Sequence, residues 1–574
     1  MAVFRNDQVD FSFASEVALG GYFAPLEATI ENVGPFSGAL TADVSPGSRT
    51  ITVDGDTMND LAAGVYVIIG NDVATNAGAD DATLNSEIRR VVSFTGAGTS
   101  TGIITLHAPL GYPHKDNCTV KEVNITSGVL ENLGISQDAE GAVTMDHIRF
   151  TPGVWESIEA PDPSYEFEGR YFLGSESKRA FYTAFKGQQS FSGTLSNMEL
   201  INGFPLKFPI GKVATKGEDA ASNKGGSVTG AAVSAGDYFV LVDAATDYLD
   251  DEFIQVGASD SGLEEVRKIT QIDLNTESST KDRIWVDYPF LIAHAAGIAC
   301  NQVVAPFTHR IIETVELSPI TWQIKNNDSA GTSANAWLRR YIGGKIGQAT
   351  LTAEEGGTLR MSWESAPFID VQHNQYDSSA VTAPNNKYDA SLSAVTVEYS
   401  NTEPYFFSQG SITLFGVEFA RITNFTININ NNLEPRYFIR NDGSQRTPSD
   451  IYEGRREYSM TATVVLPDSA AAATDTTRTL FKELLAEGDY GSGTAGFDVD
   501  LVFTRGANDT LAINIPANNV AGASVAAAVG GNAQGAFIRS ANTSVGTENP
   551  VSTEVDILFR NLSCEVVDSE PVYP

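Results

Sequence analysis

Histidine side chains are the first candidates for metal binding or acid–base chemistry, because imidazole coordinates metals and titrates near neutral pH. The sequence contains six, without the close spacing of metal ligands: His107, His114, His147, His294, His309 and His373. His114 and His294 stand in similar sequence contexts, each after a strand pattern and a turn. A structural role in the turn is therefore favoured over a shared metal site.

Carboxylates could supply general acids and bases or bind calcium. The acidic run Asp250, Asp251 and Glu252 lacks the Asp-x-Asp-x-Asp-Gly spacing of a calcium loop, so a solvated turn is favoured. The tryptophans are spread along the chain without a paired acid motif, which argues against a carbohydrate-active enzyme. They are Trp155, Trp285, Trp322, Trp337 and Trp363.

Nucleophile and cofactor motifs complete the search for chemistry. The chain has no H-E-x-x-H or Walker-type motif. Cys118, Cys300 and Cys564 are odd in number and contain no C-x-x-C pair, so neither a disulfide framework nor a zinc site is indicated. We expect no catalytic, cofactor-binding or metal-binding residues and no enzymatic activity.

Net charge sets the kind of partner that the protein can attract. The 574 residues carry 72 Asp and Glu against 37 Lys and Arg, a net charge of -35. Such a field repels phosphate, which argues against specific nucleic-acid binding. The same repulsion suits a wall along which DNA slides, although an ordinary solvated acidic surface has the same composition.

The sequence also predicts neither a secretory signal nor a membrane-spanning segment. The N-terminal residues lack a basic region followed by an apolar stretch, so no secretory signal is predicted. The most apolar late segment, Val520 to Gly531, is too short to span a bilayer, so we expect no membrane insertion.

Short runs rich in Val, Ile, Thr, Phe and Tyr recur between Gly, Asn, Asp and Pro, which predicts a mainly β chain in two packed sheets. Clear examples are Gly64 to Gly70, Ser411 to Phe415, Phe425 to Ile429 and Tyr458 to Leu466. One strong helix is predicted at Thr476 to Glu487, after Asp475 and before Gly488. A weaker helical pattern covers Glu176 to Phe185.

An internal repeat divides the chain. Segments that begin at Pro46 (PGSRTITVD) and Ala235 (AGDYFVLVD) continue in parallel through an E-[IV]-R-[RK] strand at Glu87 and Glu265, and close at His114 and His294. We interpret them as two copies of a small all-β module, 41–123 and 226–304. They are inserted into one discontinuous domain made of 1–40, 124–225 and 305–574.

The discontinuous domain resembles the tail tube proteins of long-tailed phages and related tailed viruses. The resemblance runs in order from YFLGSESKRAFYTAFKGQQSFSG at Tyr171 through THRIIETVELSPITW at Thr308. Its most informative part is Pro404 to Leu466, where a strand ends in Asn430, Asn431, Asn432 and Leu433 and the next strand follows Gly454. The two inserts are similar to decoration inserts of phage tail proteins.

The resemblance implies a tail-tube-like β-sandwich with a flanking α-helix and two inserted all-β modules. It implies self-association into hexameric rings that stack into a tube, where edge strands of neighbours pair to line the lumen. Tape-measure and tail-terminator proteins would be partners, and genomic DNA would pass without specific binding. The protein would be part of the virion tail, assembled in the host cytoplasm.

Four segments are the best candidates for the tube wall under this interpretation: Ala349 to Leu359, Ser411 to Phe419, Thr423 to Asn430 and Tyr458 to Leu466. The inserts are expected to project outward. The alternative is a capsid-decorating or other virion surface protein.

Overall fold

The computed structural model shows a mainly β protein. It describes residues 9–20, 26–31, 35–45, 48–55, 58–63, 65–70, 87–96, 99–106, 110, 114–125, 141–145, 150–170, 183–220, 227–245, 248–249, 252–258, 261–273, 282–327, 336–374, 397, 400, 402–414, 417–418, 422–439, 446–465, 499–515, 536–544 and 552–573.

Strands make up most of the regular secondary structure of the described residues. The first eighteen are β1 (Val9–Ser15), β2 (Leu26–Glu31), β3 (Ser37–Leu40), β4 (Thr50–Gly55), β5 (Tyr66–Gly70), β6 (Glu87–Phe94), β7 (Thr101–Leu106), β8 (Thr119–Ile125), β9 (Gly141–Met145), β10 (Ser157–Glu159), β11 (Ser164–Arg170), β12 (Thr183–Ser190), β13 (Ser192–Glu199), β14 (Gly211–Asp219), β15 (Ser227–Val228), β16 (Phe239–Val242), β17 (Phe253–Val256) and β18 (Glu265–Asp273). The others are β19 (Asp282–Val286), β20 (Ala299–Glu313), β21 (Ile320–Asn326), β22 (Trp337–Gly344), β23 (Gln348–Glu354), β24 (Arg360–Pro367), β25 (Asp370–His373), β26 (Gly410–Leu414), β27 (Val417–Glu418), β28 (Ile422–Asn430), β29 (Glu434–Arg436), β30 (Asp450–Tyr452), β31 (Glu457–Val465), β32 (Val499–Gly506), β33 (Asp509–Ile515), β34 (Ala536–Ser544), β35 (Ser552–Phe559) and β36 (Ser563–Asp568).

Helical structure in the described residues is limited to single turns. They are α1 (Lys207–Ile210) and 3-10 turns at Met58–Asp60, Phe204–Leu206 and Phe407–Gln409. The helix predicted at Thr476 to Glu487 lies outside the described residues. The weaker helical prediction at Glu176 to Phe185 is wrong at its described end, because Thr183 and Phe185 belong to β12 and pair with β11. Pairing with a partner strand there overrides the local helical pattern.

Two large antiparallel sheets form the centre of the molecule. One is the eight-stranded sheet in the order β10-β13-β24-β23-β28-β31-β35-β34; the other is twelve-stranded and includes β20, β36, β33, β32 and β26. Buried side chains of both sheets belong to one continuous apolar core. The predicted β-sandwich is therefore confirmed, and alternating buried and partly exposed residues along the strands explain it.

A four-stranded sheet, β1-β21-β22-β25, contributes to this core through aromatic side chains. Trp322 and Trp363 stack with ring centroids 6.0 Å apart, and Phe13 meets the edge of Trp363 at 5.4 Å. Burial of aromatic rings in such contacts adds about 0.5–1.5 kcal/mol per pair beyond the area that is removed from water.

Two small closed barrels accompany the sandwich. In barrel 1, β3 pairs with both β4 and β8, which closes the order β3-β4-β7-β6-β5-β8. In barrel 2, β16-β19-β18-β17-β20 is closed by β15, which pairs with β20 and continues to the Thr229–Val242 bridge. Each barrel has an apolar interior of its own. Both barrels therefore have six strands connected in the same order.

Each barrel also has the same pair of backbone hydrogen bonds at matching positions. Val44 and His114 exchange two backbone hydrogen bonds in barrel 1, as Val233 and His294 do in barrel 2. The tight turn that follows each histidine has a positive φ, at Asn117 in barrel 1 and Gly297 in barrel 2.

Candidate assembly surfaces

The eight-stranded sheet has a core face and an outward polar face. Alternate residues of β23, β28 and β31 are buried against the core, and those between them are partly or fully exposed. Three of the four predicted wall segments are neighbours in this sheet, since β23 pairs with β28 and β28 with β31. The described residues of the fourth segment, Ser411 to Phe419, belong to β26 and β27 of the twelve-stranded sheet, so the four segments are divided between two sheets.

Hydroxyl and amide groups dominate the outward face. Thr352, Thr426 and Thr461 stand side by side on β23, β28 and β31, and Asp556 continues the row on β35. The adjacent row places Thr350 beside Asn428, with a hydrogen bond of 3.3 Å between their side chains. The outward face is therefore polar, and most of its polar groups are neutral.

The charge on this face is acidic. Strands β24, β23, β28, β31 and β35 contain no lysine. Their outward positions hold one arginine and five carboxylates: Arg360, Glu354, Glu364, Glu457, Glu554 and Asp556. Since DNA phosphates are attracted by lysine and arginine, this face offers them little to bind.

Both edges of the eight-stranded sheet end without a further strand among the described residues. The outer strands are β10 at one edge and the nine-residue β34 at the other. An unpaired edge presents backbone N–H and C=O groups that another chain can pair with. The sheet can therefore be extended by a second subunit.

Two hairpins stand apart from the large sheets. One is β11-β12 and the other is β29-β30, each a two-stranded sheet. Every side chain of β11 is exposed. The hairpins touch each other, because the Gln189 N–H donates to the Arg446 carbonyl at 2.8 Å and the Tyr437 hydroxyl donates to the Gln189 carbonyl at 3.1 Å.

Exposed apolar side chains concentrate on this hairpin pair. Phe167 is 62% exposed and Ile439 is fully exposed. The others are Tyr165, Phe438 and Tyr452. Clustered apolar surface of this kind is a mark of protein contact. We call these five residues the hairpin patch.

The histidines singled out by sequence occupy structural positions. His294 is buried, and its Nε2 lies 3.0 Å from a carboxylate oxygen of Glu265, whose other oxygen accepts from Arg267 at 2.6 Å. Glu265 also accepts from the backbone N–H groups of Leu291 and Ile292. His114 is buried in barrel 1 beside Cys118. The two histidines thus lie in different barrels.

In the acidic run from Asp250 to Glu252, the one described side chain also makes a structural contact. Glu252 accepts a hydrogen bond from the Leu249 N–H at 2.9 Å, as a residue that caps a turn does. Asp250 and Asp251 lie outside the described residues. Nowhere in the described ranges do three His, Cys, Asp or Glu side chains come close enough to hold a metal ion.

Sequence reasoning missed a buried polar junction between the sandwich and barrel 2. Lys207 donates from Nζ to Ser15 Oγ at 2.6 Å and to the Tyr573 carbonyl at 3.2 Å. Burial, and secondarily the charge of Arg267, lowers the pKa of Lys207 to about 7. Burial raises the pKa of Glu16 to about 7, against the hydrogen bonds that it accepts from Thr321, Gly343 and Gly20.

One cavity of about 210 Å³ lies at this junction. It is lined by Ser15, Glu16, Lys207 and Tyr573, together with Glu265 and Arg267 of barrel 2. The only sequence signal for the cluster was the repeated E-[IV]-R-[RK] motif. No local pattern marks Lys207 or Glu16, since most of their partners are distant in sequence.

Comparison with known proteins identifies a family whose model matches this chain. A family model described as phage tail tube protein matches residues 185–558, which is more than half of the chain. No curated protein matches the chain. Within the described residues, none of the helices has the length and apolar character needed to cross a membrane.

Proposed function

The chain belongs to the phage tail tube protein family, and we propose that its subunits form hexameric rings that stack into the DNA-conducting tube of a virion tail. The family is one of structural tail components that assemble into a tube. The observation that carries the finer proposal is the eight-stranded sheet, which combines a lysine-free polar face with two edges that no other described strand pairs with.

Ring closure follows from the open edges. Strand β34 of one subunit would pair with the β10 edge of the next, so that the sheets continue one another around a ring. Backbone pairing supplies affinity without special side chains and removes the exposed edges that would otherwise aggregate.

The polar face of the eight-stranded sheet would then line the lumen. Threonine, serine and asparagine side chains offer only weak, neutral contacts to a passing duplex. The carboxylates Glu354, Glu457 and Glu554 are exposed there and repel phosphate. Genomic DNA would pass without being bound.

The hairpin patch would make contacts between subunits, most simply between one ring and the next. Its side chains are exposed in the single chain, and their burial would stabilise a stack by roughly 25 cal/mol per Å² of apolar surface. Tape-measure and tail-terminator proteins would occupy the lumen and the tube end, with assembly in the host cytoplasm.

Barrels 1 and 2 would be two copies of one module inserted into the tube domain, with boundaries near 41–123 and 226–304. Their shared strand order and hydrogen bonds support this proposal. Placement on the outside of the tube would leave the lumen open.

The test is negative-stain electron microscopy of the purified protein over a range of concentration and salt. Hollow tubes or stacked rings are expected, and they should appear above a threshold concentration because edge pairing is intermolecular. Persistent monomers or trimers would instead favour a capsid-decorating role, for which the two barrels alone would suffice.

A further inference from the structure

The two outer strands of the eight-stranded sheet run in opposite directions. Every pairing across the sheet from β10 to β34 is antiparallel, and the number of strands is even. Rotation about the axis of a ring does not change the direction of a strand along that axis. In the ring proposed above, on which this inference rests, β34 therefore meets β10 of the next subunit in antiparallel orientation.

Side chains alternate between the two faces of each outer strand. In β10, Ile158 packs on the sandwich core, and Ser157 and Glu159 are exposed. In β34, Ile538 is buried, and Ala541 lies on the same side because it pairs with a buried valine of β35. Directly opposed residues of antiparallel strands share a face. Ile158 of one subunit can therefore lie opposite Ile538 of its neighbour (the Ile538 alignment) or opposite Ala541 (the Ala541 alignment).

Charge distinguishes the two edges of the sheet. Residues 151–169, which include β10, contain several acids but no lysine or arginine. Glu159 is one of these acids, and it makes no ion pair or side-chain hydrogen bond within the described part of the chain. Residues 516–547, which include β34, contain Arg539 and no other charged residue. The β34 edge is thus complementary in charge to the acidic β10 edge.

Arg539 has hydrogen-bond donors left for a second carboxylate. Its Nε donates to Oδ2 of Asp556 on β35 at 2.6 Å, while 57% of its side chain remains exposed. A guanidinium has five N–H donors and binds carboxylates strongly. Asp556 lies opposite Ser540, so Arg539 is on the outward face beside Ser540.

Only one of the two alignments brings the opposite charges together. In the Ala541 alignment, Glu159 lies opposite Ser540 and next to Arg539. In the Ile538 alignment, Glu159 lies opposite Phe537, which offers a carboxylate no partner. The charges therefore select the Ala541 alignment.

We propose that neighbouring subunits join through an antiparallel β34–β10 seam in the Ala541 alignment, in which Arg539 of one subunit binds Glu159 of the next. The partner at each edge is thus a second copy of this chain. Pairing of β10 with β10 would bring like carboxylates together, and pairing of β34 with β34 would leave Glu159 without its arginine. The charges favour head-to-tail contacts, which close rings, over two-fold dimers.

Cysteine cross-linking tests the alignment. In the Ala541 alignment Ser157 lies opposite Asn542, and directly opposed residues of antiparallel strands are close enough for a disulfide. Oxidation of S157C/N542C should give a ladder of covalent oligomers beyond the dimer on a non-reducing gel. The native cysteines are buried, so they add little background.

The matched control is S157C/S540C, which reports the Ile538 alignment and should cross-link more slowly. The single variants S157C and N542C should give no ladder. A covalent dimer as the main product of either single variant would mean that one edge pairs with its own copy, against the proposal.

Charge reversal tests the ion pair. Glu159→Arg should raise the concentration at which tubes form by roughly two- to fivefold, the range that one exposed ion pair supports. Adding Arg539→Glu should lower that concentration again, which a merely structural defect would not do. Glu218→Arg makes the same charge change on an exposed acid of β14 and should not raise it.

The outcomes separate the seam from the tube. Tubes without a ladder from S157C/N542C, or a faster ladder from S157C/S540C, would overturn the seam and leave the tube intact. Equal thresholds for Glu159→Arg and Glu218→Arg, or no recovery in the double variant, would overturn the ion pair. If neither tubes nor covalent oligomers form, the proposed tube is wrong and the seam falls with it.

Discussion

The carboxyl group of Glu16 lies at the end of β1, where three donors converge on it. Thr321 and the Gly343 N–H donate to one oxygen, and the Gly20 N–H donates to the other at 2.8 Å. Burial nevertheless raises its pKa from 4.5 to about 7. The folded protein therefore holds this proton more tightly than the unfolded chain does.

The stability that this proton contributes is fully present below pH 4.5 and is lost as the pH rises through about 7. We expect Glu16→Gln to remove that dependence, which amounts to about 1.4 kcal/mol per unit of pKa difference. Denaturant unfolding followed by tryptophan fluorescence at pH 5 and pH 7 measures it. If the free energy of unfolding differs between pH 5 and pH 7 as much in the variant as in the wild type, the prediction is wrong.

Lys207 provides the opposite case. Its pKa is lowered from 10.5 to about 7, first by burial and then by Arg267. The contribution of this group to stability is fully present above pH 10.5 and is lost as the pH falls through about 7. Lys207→Met should therefore flatten the rise in unfolding midpoint that the wild type shows between pH 7 and pH 9.5. A rise of the same size in both proteins would argue against it.

Glu265 contacts Arg267, His294 and two backbone N–H groups in barrel 2. Glu265→Ala would leave Arg267 buried without its carboxylate, a change that typically costs about 3–5 kcal/mol. We expect faster hydrogen exchange throughout 227–304. Asp243→Ala is the control, because Asp243 is an exposed acid of the same barrel. Equal exchange in both variants would show that the ion pair adds no stability.

The same residues show how far sequence reasoning reaches. The repeated Glu-x-Arg motif and the repeated histidine marked positions that meet in barrel 2, although no local pattern explained why they recur. In barrel 2 they meet in the buried contact of Glu265 with Arg267 and His294. The repeat predicts that Glu87 stabilises barrel 1 as Glu265 stabilises barrel 2. Glu87→Ala should therefore speed hydrogen exchange across 41–123.

At the scale of elements, strands were easier to predict than their partners. The alternation in Tyr458 to Leu466 predicted a strand, and β31 occupies nearly the same residues. The same pattern could not assign Ser411 to Phe419 to the other sheet, because partner choice depends on contacts distant in sequence. The helical prediction failed at Thr183 to Phe185 for the same reason, since these residues of β12 pair with β11.

The hairpin patch leads to a prediction about assembly. F167S/I439S should leave the folded monomer unchanged in circular dichroism and unfolding midpoint, because both side chains are already exposed. The double variant should need a higher concentration to form tubes, as light scattering and electron microscopy would show.

Val315→Ser is the control for this experiment. Val315 is 94% exposed and lies in the loop after β20, outside both hairpins. A threshold concentration that shifts equally in the control and in F167S/I439S would mean that general surface hydrophobicity drives association. A shift in neither would remove the hairpin patch from the assembly interface.

At the scale of the whole molecule, the distribution of charge decides how a tube would treat DNA. The acidic excess is spread over the chain, but only charges that face the lumen act on DNA inside it, since salt screens the remainder within about 10 Å. Replacing Glu354, Glu457 and Glu554 with lysine reverses three exposed charges on the polar face of the eight-stranded sheet.

Tubes of this triple variant should assemble and retain linear duplex DNA in a form protected from nuclease, and salt should release it. The control reverses three exposed acids elsewhere, Asp54, Glu218 and Asp243, and so has the same net charge. Its tubes should bind DNA only on the outside, where nuclease digests it. Protection in both variants, or in neither, would mean that the polar face of the eight-stranded sheet does not line the channel.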